Sequence, residues 1–209
     1  MNTAVKLLLQ NNAQIWRANE PDRHIQKGHS TGFDDLDDIL PLSGWPPHGL
    51  VEVILPRWGV GELQLLLPLL VAMSQKAKRI SWIAPPYIPY APALVEAGID
   101  LTRLVVLPKR IVKNEALWAM EKILSNPGSG VALCWPGKIN DKAMRRLQLA
   151  AVEGNSLGFI FRDHSVAASP APLRIAVEIV RDQIKVSLLK ARGATRLRHV
   201  CLNLPVLAQ

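Results

Sequence analysis

The residues best placed for chemistry lie between Pro56 and Leu63. Leu50 to Leu55 is β-rich, Pro56-Arg57-Trp58-Gly59-Val60-Gly61 reads as a turn, and Glu62 to Gln75 is strongly apolar and helical. A strand that runs through a glycine-containing turn into a helix is where backbone amides and a helix N-terminus cradle phosphate. Against the pattern G-x-x-x-x-G-K-[ST], however, only Gly61 fits. Pro56 replaces the first glycine, Glu62 the phosphate-binding lysine and Leu63 the magnesium-binding hydroxyl. A carboxylate beside a triphosphate is repulsive, and a leucine cannot hold Mg²⁺.

The neighbouring strands offer no replacement. Val131-Ala132-Leu133-Cys134-Trp135 runs into Pro136 where an aspartate would position magnesium. Ile80 to Ala84 runs into Pro85-Pro86-Tyr87, with no carboxylate to activate water. The five histidines have no metal-site spacing, and Asp163-His164-Ser165 is a chance neighbourhood because catalytic triads are assembled in space. The two cysteines, Cys134 and Cys201, form neither a zinc nor a redox motif, and Cys134 reads as a small core residue. The expectation is a chain without enzymatic activity, cofactor or metal.

These residues must be positioned by an alternating pattern. After the strand, turn and helix just described come strand Arg79 to Ala84, helix Ala91 to Ala97, strand Leu104 to Leu107 and helix Asn114 to Leu124. Strand Val131 to Trp135, helix Asn140 to Glu153 and strand Leu157 to Phe161 continue it. Such alternation predicts an α/β fold with a mainly parallel sheet flanked by helices. Leu173 to Val180 and Ile184 to Leu189, around Arg181-Asp182-Gln183, predict an antiparallel C-terminal hairpin, and His199 to Leu204 an edge strand. Ala4 to Ile15 predicts a short helical arm, and Asp34, Asp35, Asp37 and Asp38 crowd the start of a helix over Phe33 to Leu40. Trp82, Trp118 and Trp135 are assigned to the core.

The chain has 209 residues, 49% hydrophobic and 20% charged, long enough to bury a core without staples. Its longest apolar stretch, Leu65 to Met73, is too short to cross a bilayer and contains Pro68. Met1 to Gln10 lacks the features of a signal peptide, so a cytoplasmic location is expected. The net charge of +8 is uneven: residues 1–106 hold 9 Lys/Arg against 10 Asp/Glu, and residues 107–209 hold 16 against 7. That asymmetry points to a basic face for an acidic partner, either nucleic acid or protein.

Ser30-Thr31-Gly32-Phe33-Asp34-Asp35-Leu36-Asp37, then Gly49-Leu50-Val51-Glu52-Val53, then a turn and a leucine-rich helix, resembles the opening of the RecA family core. Ala143-Met144-Arg145-Arg146-Leu147 with the strand at Leu157 to Phe161 resembles a later helix and strand of that core. The resemblance implies three parts: an arm at 1–27, a RecA-like core with a degenerate P-loop at 28–190, and a basic segment with an edge strand at 191–209. A RecA-like core stripped of ATPase parts is similar to two bacterial SOS families, ImuA and SulA. The intact S-T-G-F-x-x-L-D opening, Val53-Ile54-Leu55-Pro56 with the run Gly59-Val60-Gly61-Glu62-Leu63-Gln64-Leu65-Leu66-Leu67-Pro68, and the basic C-terminal run favour ImuA. That resemblance implies a noncatalytic adaptor in translesion DNA synthesis, with an ImuB-like protein, an error-prone DNA polymerase and RecA as partners, weak DNA contact and self-association. The alternative is a SulA-like inhibitor of cell division that binds FtsZ.

Candidate contact residues follow from charge and type. Lys142, Arg145 and Arg146 line one side of a helix, and Lys190, Arg192, Arg196 and Arg198 form a denser basic cluster around Gly193. Arg57 and Trp58, on the turn after the first strand, are of the residue types that interfaces favour.

Overall fold

The computed structural model describes residues 27–112, 115–163, 169–191 and 198–203. The arm expected at Ala4 to Ile15, and Arg192 and Arg196 of the basic cluster, lie outside the described residues.

One sheet of eight strands organises these residues, in the order β3-β2-β4-β5-β1-β6-β7-β8. The strands are β1 (Gly49–Ile54), β2 (Arg79–Ile83), β3 (Leu104–Leu107), β4 (Ser129–Cys134), β5 (Leu157–Arg162), β6 (Leu173–Val180), β7 (Gln183–Ala191) and β8 (His199–Leu202). The first six in sequence pair in parallel, and β7 and β8 are antiparallel. β1, β4 and β5 are buried along their whole length, as central parallel strands covered on both faces must be. The architecture is therefore a mixed α/β fold with a mostly parallel sheet. Kinship with RecA rests on the sequence resemblance alone.

Side chains alternate between two faces. Val51, Val53, Trp82, Leu133, Phe159, Phe161 and Ile175 pack with Leu65, Leu66, Leu69 and Leu70 of α2 (Glu62–Gln75). The same cluster takes in Leu36 of α1 (Asp34–Ile39), Trp45, and Leu94 of α3 (Ala91–Glu96). Leu50, Ile83, Ala132, Cys134 and Ile160 face the other way, onto α5 (Ala116–Leu124) and α6 (Asp141–Glu153), which contribute Met120, Leu124, Met144 and Leu147. A short helix, α4 (Lys109–Val112), follows β3.

Asp34, Asp35 and Asp37 lie in the first turn of α1, as expected. Phe33 is the cap residue, and the Asp37 carboxylate also accepts from the Thr31 amide and the Ser30 hydroxyl, each at 2.9 Å. This closes the Ser30-Thr31-Gly32 turn. Gly32 has φ +84°, and a Cβ there would meet the Pro68 ring at 2.6 Å. The turn is thus packed directly on α2, which explains its glycine by close approach.

Trp118 corrects the expected core: it lies on the outer side of α5 and is 58% exposed. Trp82 and Trp135 are buried as expected. The α5 stripe of Ala116, Ala119, Met120 and Leu124 already fills the space against the sheet, and this rotates Trp118 outward.

Candidate functional site

In open parallel sheets, ligands and partners gather where the strands end at their carboxyl edge. Here that edge receives the loops after β1, β2 and β4. Leu55 is tied to the end of β5 by its amide, which donates to the Arg162 carbonyl at 2.8 Å, and residues 56–61 then turn into α2. Gly59 and Gly61 have φ of 80° and 92°, a region open to glycine at little cost.

Glu62, the first residue of α2, is buried. Its carboxylate accepts from the Gly59 amide at 2.9 Å and from the Val60 amide at 2.9 Å, one bond to each oxygen. A carboxylate is favoured at a helix N-terminus for the same reason as a phosphate, because backbone amides and the helix dipole converge there. Leu63 is half-buried against the core, as is Trp58, while Pro56 and Arg57 are exposed. Trp58 is thus tucked onto the protein rather than offered from it.

Beside this loop the chain leaves β2 through Ala84, which has φ +52°, and passes through Pro85-Pro86-Tyr87-Ile88-Pro89-Tyr90. Between the two loops lies a cleft of about 380 Å³. Gly59, Glu62 and Leu63 line one side, the 85–90 loop the other, and Trp82 and Trp135 also line it. Trp135 stacks on Phe161 at 4.5 Å and meets Trp82 edge-on at 6.3 Å. This fixes both indoles. Tyr87, Ile88 and Tyr90 are 69%, 92% and 73% exposed.

A second constellation is internal. Glu52 of β1 is fully buried and accepts from Arg162 Nη1 at 2.8 Å and from Arg174 Nε at 2.6 Å. Glu52 and Arg174 are direct neighbours across the β1/β6 pair. The carboxylate therefore joins β5, β1 and β6 into one charged cross-brace.

The expected contact residues do not converge. Lys142 and Arg145 are exposed on α6, and Arg146 is paired with Glu121 of α5. Lys190, at the far side of the sheet on β7, donates through Nζ to the Ser169 carbonyl at 2.7 Å. Arg198 is exposed just before β8, and its carbonyl accepts from the Leu188 amide. Sequence reasoning missed both the exposed Tyr87-Ile88-Pro89-Tyr90 segment and the Glu52 cross-brace. A loop with no charged side chain and three large apolar or aromatic ones from Pro85 to Tyr90 is the signal that could have found the first.

Comparison with known proteins bears on this part of the chain. Residues 57–158 match the family described as "Cell division inhibitor SulA". The matched segment is SulA-like. The SulA of Photorhabdus laumondii is 33% identical over 104 residues, which is 50% of this chain and 58% of that protein. The SulA of Yersinia pestis is 33% identical over 99 residues, 47% of this chain and 58% of that protein. The chain therefore spans less than two thirds of the curated relatives it matches. A crystal structure of SulA from Pseudomonas aeruginosa aligns with a TM-score of 0.46 and 26% identity, over 54% of this chain and 96% of that one.

These matches overturn the expected ImuA assignment, and with it the translesion adaptor role and its ImuB-like and polymerase partners. The SulA match begins at Arg57 and so lies outside the S-T-G opening that had favoured ImuA. That opening has an internal explanation in the Asp37 hydrogen bonds and the contact of Gly32 with Pro68. The relatives are named for inhibiting cell division and not for a reaction. Among the described residues no helix is long and apolar enough to cross a membrane.

Proposed function

We propose that this chain is a noncatalytic inhibitor of cell division of the SulA type, made in response to DNA damage, and that it acts by binding FtsZ and withholding it from polymerisation. The observation that carries this reading is the SulA match over residues 57–158, which contains every residue lining the aromatic cleft. Stoichiometric binding needs no catalytic group, in keeping with a turn whose lysine and hydroxyl positions hold Glu62 and Leu63. Self-association and the basic cluster from Lys190 to Arg198 play no necessary part in it.

The test is induced expression in the native host, with cell length measured by microscopy. The reading expects filaments with segregated nucleoids and no septa, reversed when expression stops. Normal septation at high expression, together with loss of damage-induced mutagenesis on deletion, would overturn it.

A further inference from the structure

The cleft at the carboxyl edge of the sheet has the features of a docking site whose occupant has a definable chemistry. Its outer wall, Pro85 to Tyr90, leaves Ile88 almost completely exposed and Tyr87 and Tyr90 largely so. Three prolines restrict the backbone of that wall, so little conformational freedom is lost when it is covered. Ala84, at the root of the loop, holds a left-handed φ that a non-glycine residue rarely adopts, and such strain clusters at binding sites. Beneath lie the buried indoles of Trp82 and Trp135, which form an apolar floor.

Charge selects among occupants. Arg57, Lys109, Arg110, Lys138 and Lys142 are exposed on the segments that follow β1, β3 and β4 at this same edge. Among the described residues the exposed carboxylates there are Glu115 and Asp141, with Asp163 after β5, while Glu62 is held by the Gly59 and Val60 amides. A second copy of a chain of net charge +8 would bring like charges together. A single nucleic-acid strand needs a continuous basic groove beside stacking rings, and Glu115 and Asp141 interrupt this rim.

We propose that the cleft docks a segment of the partner protein that carries an apolar anchor residue flanked by carboxylates. The anchor packs between Tyr87, Ile88 and Tyr90, and the rim cations meet its acidic neighbours. This inference rests on the division-inhibitor reading for the partner's identity, FtsZ, and adds the surface and the chemistry of contact.

The experiment measures binding of the purified full chain to FtsZ from the same host, at low and at physiological salt. It compares the wild type with Ile88→Asp, Tyr90→Ala, the double charge reversal Arg57→Glu/Lys109→Glu and, as a distant exposed aromatic, Trp118→Ala. The altered side chains are solvent-exposed, and an unchanged urea midpoint confirms folding, with Tyr90→Ala the milder variant should Ile88→Asp fail. Expected are at least a tenfold loss of affinity for Ile88→Asp and Tyr90→Ala, a loss for the charge reversal that shrinks as salt rises, and no change for Trp118→Ala. Wild-type binding that all the cleft variants retain would overturn the proposal and leave the division-inhibitor reading standing. Absence of wild-type binding to FtsZ would overturn both. Binding of an oligothymidylate that Ile88→Asp abolishes would overturn the proposal in favour of nucleic acid.

Discussion

The carboxylate of Glu62 sits on the backbone amides of Gly59 and Val60, with both hydrogen bonds at 2.9 Å. The turn after β1 thus carries its own anion at the head of α2. Replacing Glu62 with alanine leaves a buried amide at Val60 without an acceptor, for a loss of about 1–3 kcal/mol. The urea midpoint should fall accordingly, and Glu62→Gln, which keeps one acceptor oxygen, should lose less. An unchanged midpoint for the alanine variant would show that the carboxylate does not hold this turn.

Glu52 makes a larger contribution because its surroundings are dry. Glu52→Gln leaves Arg162 and Arg174 sharing one fewer negative charge in a buried site, for a loss of about 3–5 kcal/mol. Equilibrium unfolding measures it directly. A loss under about 1 kcal/mol would place the trio among pairs that water screens.

The hairpin offers a gain. Arg181 and Asp182 occupy its turn with φ of 48° and 63°, both left-handed, as a type I′ turn requires. Asparagine and glycine take up that geometry with less strain than arginine and aspartate. The double variant Arg181→Asn/Asp182→Gly should therefore stabilise the fold by about 1 kcal/mol, read as a higher melting temperature with unchanged partner binding.

His29 gives the chain a pH dependence. Burial, reinforced by the charge of Lys76 and partly opposed by a hydrogen bond to the Pro47 backbone, holds its imidazole below the ordinary 6.5. The folded chain therefore binds this proton less readily than the unfolded chain. The contribution is fully present above 6.5 and is lost as pH falls through that value toward the lower folded-state pKa. Between about pH 7 and about pH 5 the stability of the wild type should fall more than that of His29→Gln, which cannot titrate. Parallel curves for the two proteins would remove His29 from the account.

Much of the sheet is legible in the sequence because each central strand is a short apolar run between turn residues. Leu104 to Leu107 and Glu62 to Gln75 have the expected bounds, and the antiparallel hairpin lies about its expected turn. What was not legible depends on distance through space. Nothing in the local pattern of Glu52, Arg162 and Arg174 says that strands β5, β1 and β6 are neighbours. Trp118 illustrates a different limit, since its residue type argues for burial and only the smaller side chains on the same helix decide that it turns outward. The aromatic loop was visible as composition, but its place opposite Gly59 and Leu63 appears only once β1 and β2 are set in the same sheet.

The central claim is tested most directly by sedimentation of purified FtsZ with GTP in the presence of increasing amounts of this chain. Polymer in the pellet should fall in proportion to added chain and disappear near equimolar ratio, with no requirement for ATP. Undiminished polymer at a several-fold molar excess of folded chain would contradict it.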